Sequence, residues 1–515
     1  SLEGGFDAPA LREAVRRVVL RHEILRTTFR HLPGMAFPVQ VIGDDPAFTL
    51  DERDLGHLGA REQELALDSL WDELRTAPFD FERGPLLKLS LVALSGTRRR
   101  LLLSLPALCA DEEGLAVLVR DLGATYAELR RSGEEEAAEV LQYADIAEVL
   151  NELIESEEPG PRPWQGVGDP AAAKLPLEEA PDGGRDFAPK VFGRAVDSGL
   201  AGGLGRLASS RQTELADVLQ ACWHVLCWRL TGESETTVTG RMFSGRVYEG
   251  LDQVPGPFAR HIPVSTRHEE GQSFADVLAQ VARGAAAAAE AQDYFDWEYA
   301  SRPRRLEQTQ STFLPLGFEY AELPAAARHA DLGWDFRRLE GCTERFTLKL
   351  RAVLTAEGLS TEFHYDSARL SGAQVERLAR HYHALLAGAV GGETARACEL
   401  NVLDEGQRHQ LLFELNRTAE DFGPPSCLHQ YVEAQAARTP DNTAVVFGSE
   451  RLTYAELDAR ANRLAHHLRR LGARAETPVG VLFERGLEMM VGLLGVLKAG
   501  ALYIPLDPEY PQERL

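Results

Sequence analysis

Cysteine, positive charge and long apolar runs are all scarce in this sequence. Six cysteines (Cys109, Cys222, Cys227, Cys342, Cys398 and Cys427) are spread over 515 residues. None forms a CxxC pair and none groups with histidines at zinc spacing, so neither a disulfide framework nor a metal site is expected. A reducing, cytoplasmic compartment fits that usage. Lys+Arg number 55 against Asp+Glu 79, a formal charge of −24. This argues against a surface evolved to grip nucleic acid, because neutralising phosphates takes clustered cations. The most apolar stretch, Met489 to Pro505, is too short for a bilayer and carries Lys498. No signal peptide is visible, so no membrane partner is expected. Neither an internal repeat nor a GxxxxGK(S/T) phosphate loop occurs.

What is present is an ordinary globular composition, 44% hydrophobic and 26% charged. The length exceeds one compact core and predicts three or four units. The chain begins at Ser1 without Met and stops at Leu515 just after a proline-rich strand exit, so it reads as a fragment.

Periodicity predicts mixed α/β structure. Leu11, Val15, Val18 and Val19 share a helical face. Arg21 to Phe29 has strand-like composition. Leu86 to Leu94, a Ser95-Gly96-Thr97 turn and Leu101 to Leu105 read as a hairpin whose second strand is buried on both faces. Leu115, Leu118, Leu122, Tyr126 and Leu129 make a helix. The acidic run Glu134 to Glu136 reads as a solvated helix edge. Residues 155–185 hold six prolines and read as a linker. Beyond it come a helix on Leu215 to Leu226, a strand near Thr236 to Thr239 and a helix opened by Ser273 with Asp276. A hairpin turns at Ala356-Glu357-Gly358, and a helix spans Gln374 to Ala389. The two halves are alike in size and kind, which suggests two α/β lobes with a ligand cleft between them. After a second break at Asp421 to Pro425, strand, helix, strand, helix and strand follow in order, with Thr453 and Glu456 as a capping box. That order indicates the start of a parallel sheet.

Several of these segments resemble the core motifs of condensation domains from non-ribosomal peptide synthetases. Arg21 to Phe29 looks like the second motif, Tyr143 to Ala147 the fourth, Val254 to Arg260 the fifth and Gln292 to Glu298 the sixth. Leu452 to Ala465 and Leu497 to Pro511 are similar to the first two motifs of adenylation domains. The resemblance implies two chloramphenicol-acetyltransferase-like lobes in a V, followed by the start of an acyl-adenylate-forming domain. The expected division is a condensation-like N-lobe at 1–155 truncated at its start, a linker at 156–185, a C-lobe at 186–398, a linker at 399–425, and a truncated adenylation domain at 426–515. It also implies partners and cofactors. These are peptidyl and aminoacyl carrier domains bearing thioesters on 4'-phosphopantetheine, with ATP and Mg for a complete adenylation domain.

The third condensation motif reads His-His-x-x-x-Asp-Gly in the family. Here the matching stretch is Pro106-Ala107-Leu108-Cys109-Ala110-Asp111-Glu112. Ala107 stands where the catalytic histidine would be and Pro106 where its neighbour would be. Amide formation needs a positioned amine and removal of a proton, which an imidazole does near neutrality and a methyl group does not. That loss typically costs roughly 10²–10⁴-fold in rate, although tethering can supply a large effective molarity. Efficient condensation by the usual route is not expected.

The resemblance makes Asp111 structural and paired with an arginine. Cys109 reads as a small buried apolar residue before it reads as a nucleophile, because no histidine lies within the motif. Glu112 and Glu113 could be a substitute base, but acidic residues opening a helix more often serve its dipole. His22 and His261 are the remaining imidazole candidates. The resemblance gives Arg21, His22 and Arg26 structural parts. Asp293 either lines the interlobe tunnel that the resemblance implies or serves a helix end. Lys498 reads as a helix-end cation. The family's phosphate-gripping loop, specificity pocket and catalytic lysine would fall beyond residue 515. Two readings stay open for the condensation-like part: a non-catalytic recruiting platform, or an active unit working by proximity or a substitute base. A free-standing coenzyme A acyltransferase is disfavoured by the adenylation motifs.

Overall fold

The computed structural model describes residues 1–515 except 36–37, 95, 132–139, 156–163, 165–174, 176–177, 179–186, 233–234, 270, 296–314, 330, 343, 393, 422 and 425. The Glu134 to Glu136 run, most of the 155–185 linker, and Asp296, Trp297 and Glu298 of the sixth motif therefore lie outside the described residues. The chain divides into two compact units, Ser1–Leu411 and Leu412–Leu515.

The first unit opens with β1 (Leu2–Gly4) and α1 (Ala8–Arg21), whose first turn is capped by the Asp7 carboxylate. A 3-10 turn over Glu23–Arg26 comes next, closed by the Leu25 amide on the His22 carbonyl. The strand expected from Arg21 therefore starts only at Thr27, as β2 (Thr27–Arg30), paired with β3 (Val39–Ile42). Then follow β4 (Thr49–Asp54), α2 (Ala60–Thr76), β5 (Lys88–Ala93), β6 (Arg98–Ser104), α3 (Glu112–Arg131) and α4 (Tyr143–Glu155). The β5–β6 pair is antiparallel. Its buried member is β5 rather than β6, contrary to the expectation, because Arg98 to Arg100 fill the first half of β6 and keep it toward solvent.

After the linker come β7 (Pro189–Ala195), α5 (Ser198–Arg211), α6 (Leu215–Thr231), β8 (Thr236–Phe243), β9 (Arg260–Arg267), α7 (Phe274–Ala291), β10 (Leu316–Glu322), β11 (Ala327–His329), β12 (Leu332–Trp334), β13 (Leu348–Thr355), β14 (Gly358–Asp366), α8 (Gly372–Gly391) and α9 (Glu405–His409). Two six-stranded sheets result. One has the order β11-β12-β1-β6-β5-β4, the other β7-β14-β13-β10-β8-β9. The strands β11 and β12 thus come from the second half and complete the first sheet. Leu332 and Trp334 share its core with Leu2 and Tyr126, and β12 gives the three-residue β1 a partner.

The second sheet has unlike faces because strand side chains alternate. Phe318, Leu348, Leu350 and Phe363 point into an apolar core with Trp223 of α6 and Tyr382 of α8. Lys349 and Arg351 point the other way. Register sets Arg351 between Glu319 of β10 and Glu362 of β14, and Lys349 beside His364.

The second unit holds α10 (Leu428–Arg438), β15 (Thr443–Phe447), β16 (Glu450–Thr453), α11 (Tyr454–Arg470), β17 (Pro478–Leu482), α12 (Leu487–Ala499) and β18 (Leu502–Leu506). Thr453 and Glu456 form the expected capping box on α11. The strands β17 and β18 pair in parallel around α12. Among the described residues no helix is long and apolar enough to cross a membrane.

Candidate functional site

The strand β6 ends at Ser104 and α3 begins at Glu112, so the third-motif stretch is the connection between them. Pro106 is buried, and its carbonyl accepts the Cys109 amide to close a turn. Ala107 and Leu108 project from that turn into solvent, while Cys109 is fully buried. Burial pushes the Cys109 thiol up to about 12. A thiol so held is an apolar filler and no nucleophile.

Asp111 organises everything behind the turn. Its carboxylate accepts both ends of the Arg246 guanidinium, at 2.8 and 2.9 Å, and the amides of Gly114 and Ala259, each at 2.7 Å. Asp111 is 1% exposed. Arg246 goes on to the Gly256 carbonyl at 3.1 Å and lies over the Phe258 ring. The backbones meet so closely that a Cβ on Gly114 would stand 3.0 Å from Gly256, and one on Gly256 only 2.3 Å from the Tyr143 ring. Tyr143 stacks edge-on against Phe258. The third, fourth and fifth motif segments therefore converge on one junction.

The second segment joins it through Asp121 of α3 and Gln142 before α4. Arg21 and His22 both bind Asp121, His22 at 2.7 Å. Burial alone would raise the Asp121 carboxyl, but these two partners outweigh it and hold it low. The Gln142 side chain, just before α4, accepts the Glu23 amide and donates to the Arg21 carbonyl. Arg26 turns away to the Gly43 carbonyl and Glu23. Asp293 lies on a one-turn 3-10 extension of α7, and its carboxylate helps raise the pKa of Tyr248, after burial. The residues singled out in the sequence are thus spread over a scaffold. Asp111 and Glu112 adjoin the Ala107 turn, while Arg21, His22, Arg26 and Asp293 brace segments around it.

Glu112 does open α3, as expected of a residue serving the helix dipole, but it does more. It is buried in the first turn of α3, and its carboxyl accepts from Arg351, 239 residues away. Arg351 also reaches Glu319 at 2.9 Å and Glu362 at 2.8 Å, and Glu319 binds Lys349 at 2.6 Å. Three carboxyl groups share two cations. Burial, then the charge of Glu319, push Glu112 up to about 8. Glu319 is held far down by Lys349 and Arg351 against its own burial. Sequence reasoning misses this network. The signal for it is the alternation of Lys349 and Arg351 opposite Glu362 and His364, in a hairpin whose turn the sequence does place.

His261 is buried on β9, edge-on to Phe346, with no partner on either ring nitrogen. Burial and the neighbouring Lys349 drive it down to about 3. His22 is committed to Asp121. Glu113 is largely exposed, 3.5 Å from Arg246. Chemically, the turn offers a methyl group and a leucine side chain, and its two buried carboxyl groups are each tied to an arginine. Among the described residues no group of His, Cys, Asp and Glu could hold a metal. In the second unit Lys498 is more than a helix-end cation. It is buried among Glu433 of α10 and Asp458 and Asn462 of α11.

Comparison with known proteins follows the same division. A family model described as condensation domain matches residues 1–412, and one described as AMP-binding enzyme matches residues 432–515. Tyrocidine synthase 3 of Brevibacillus parabrevis is 31% identical over 528 residues, covering 100% of this chain and 8% of that synthase. A solved four-domain nonribosomal peptide synthetase bound to AMP and glycine superposes with a TM-score of 0.77 at 18% identity, over 100% of this chain and 40% of the other. The X-domain solved in complex with OxyB from teicoplanin biosynthesis superposes at 0.63 with 23% identity, over 78% and 90% of the two chains.

Proposed function

The chain belongs to the condensation-domain family, with the start of an AMP-binding enzyme domain behind it, and from that premise we propose that its condensation-like unit receives carrier-tethered thioesters but is impaired or altered in joining them. The observation that carries this reading is Ala107 exposed on the β6–α3 turn, with Pro106 beside it. A methyl group neither takes a proton from an attacking amine nor orients it. The two other imidazole candidates do not offset the loss. His22 is held by Asp121, and His261 is buried against Phe346.

The chain spans only 8% of the length of the tyrocidine synthase it matches, so the wider activity is part of the same proposal. The parent protein would activate an amino acid with ATP and Mg, load it onto 4'-phosphopantetheine of a carrier domain, and pass it to this unit. Residues 426–515 contain no GxxxxGK(S/T) phosphate loop, and the ATP-dependent step is assigned to none of them.

A second reading is a platform that recruits partners without chemistry. It is favoured by the likeness of fold to the X-domain solved with OxyB. One experiment separates the readings. Donor and acceptor carriers, loaded with aminoacyl thioesters, are mixed with the unit, and amide product is timed against an uncatalysed control. The impaired-enzyme reading expects product above the control but roughly 10²-fold or more below a condensation domain with both histidines. Product at the control rate favours the platform. Product at an undiminished rate overturns both. Under the impaired-enzyme reading, Ala107→His with Pro106→His recovers part of the rate.

A further inference from the structure

Glu112 occupies a place where the motif calls for glycine, and a glycine there could make no side-chain bond. Instead its carboxyl crosses from α3, behind the first sheet, to Arg351 in the middle of the second. Arg351 is 2% exposed and already held by Glu319 and Glu362 from the two strands beside it. It is therefore a fixed anchor that cannot follow Glu112 if the sheets part. The backbone seals the same spot, since a Cβ on Gly341 would stand 3.0 Å from the Glu112 amide.

We propose that Glu112 and Arg351 form an internal lock that holds the two sheets together beside the Ala107 turn. The surrounding charges indicate how it holds. Glu112 faces Arg351 on β13 and Glu319 on β10; Lys349 is bound to Glu319, Glu362 of β14 to Arg351, His364 to Glu362, and Glu340 of the adjoining loop lies beside His364. Two cations serve Glu319 and Glu362 first. Burial and Glu319 push Glu112 toward its protonated form, and a neutral acid still accepts the arginine N–H. A glutamine can do the same. A leucine fills the same space but cannot accept.

Two backbone amides report opening of this seam. The Asp111 amide donates to the Gly256 carbonyl at 3.3 Å, and the Ala259 amide donates to the Asp111 carboxylate. Hydrogen exchange is followed by mass spectrometry on the full chain at pH 7, in peptides covering residues 107–115 and 255–261. Peptides from α6 and α8 serve as the control for folding. Glu112→Leu and Glu112→Gly are expected to exchange at least about tenfold faster at the seam, with α6 and α8 unchanged. Glu112→Gln and the exposed neighbour Glu113→Gln stay within about threefold of the unsubstituted chain. Seam exchange within threefold in both the leucine and glycine variants overturns the lock. So does a glutamine variant that loosens as far as the leucine one. Should Glu112→Leu fail to fold, the glycine variant decides alone, since it adds no bulk. No carrier or thioester enters the measurement, so its failure is distinct from that of the loaded-carrier experiment.

Discussion

Asp111 shows what one buried carboxylate can hold. It serves both ends of Arg246 and two amides from opposite sides of the junction. Removing one partner of such a pair leaves the other charge buried and uncompensated, which typically costs about 3–5 kcal/mol. Asp111→Asn keeps the shape but not the charge, so urea denaturation should show a loss near the lower end of that range. A loss below about 1 kcal/mol would mean that Arg246 finds water on its own. Asp111→Asn with Arg246→Met should then recover stability relative to Asp111→Asn alone, because the stranded guanidinium is gone. The pairing of Asp111 with an arginine follows from resemblance, whereas the identity of Arg246 is not readable in the sequence. It lies 135 residues away in a loop without periodicity, and only the fold brings it near. Glu112 misleads for a related reason. An acidic residue opening a helix has a sufficient local explanation in the helix dipole, which hides the long-range one.

Elements are legible where periodicity is strong and illegible where function or brevity suppresses it. The helix on Leu215 to Leu226 and the hairpin around Gly358 stand where the apolar pattern puts them. The strands β1, β11 and β12 have three residues each, too few to show any alternation. Their pairing depends on a crossover that no local pattern encodes. Lys498 is the counterpart in the second unit. Position on α12 explains a cation, but the gathering of Glu433, Asp458 and Asn462 about it explains its burial. It pins α12 to both α10 and α11. Lys498→Met would strand two partly exposed carboxylates and an amide, for an expected loss of about 2 kcal/mol. Hydrogen exchange should quicken in α10 and α11 together. Quickening confined to α12 would show that the helices are held by their apolar contacts alone.

At the scale of the whole molecule, the first unit carries a heavy load of buried neutral histidine. His224 sits in the core with both ring nitrogens on threonine hydroxyls, and His268 joins the same chain through Thr266 and Thr237. Burial drives His224 and His261 down to about 3, and His268 and His383 to about 4. In the unfolded chain each titrates near 6.5. Below that pH the unfolded state therefore binds more protons than the native one, so stability is complete above about 6.5 and is lost as pH falls toward the native values. Each histidine contributes at most about 1.4 kcal/mol per pH unit. Glu319, held low by Lys349 and Arg351, and Glu362, held low by its hydrogen bond to His364 and by Arg351, both against their own burial, extend the loss below about 4.5. Glu112 opposes this trend, because its raised pKa means that the native state sheds stability as pH climbs from about 4.5 through 8. Its single contribution is outnumbered on the acid side. Urea midpoints taken at pH 7.5, 6.5 and 5.5 should fall steeply over the last interval, with a slope of more than one proton taken up on unfolding. A flat profile between 6.5 and 5.5 would mean that the buried imidazoles are already solvated in the native state. His224→Gln, which can still bond to Thr239, should flatten that interval by about one proton while leaving the midpoint at pH 7.5 less affected.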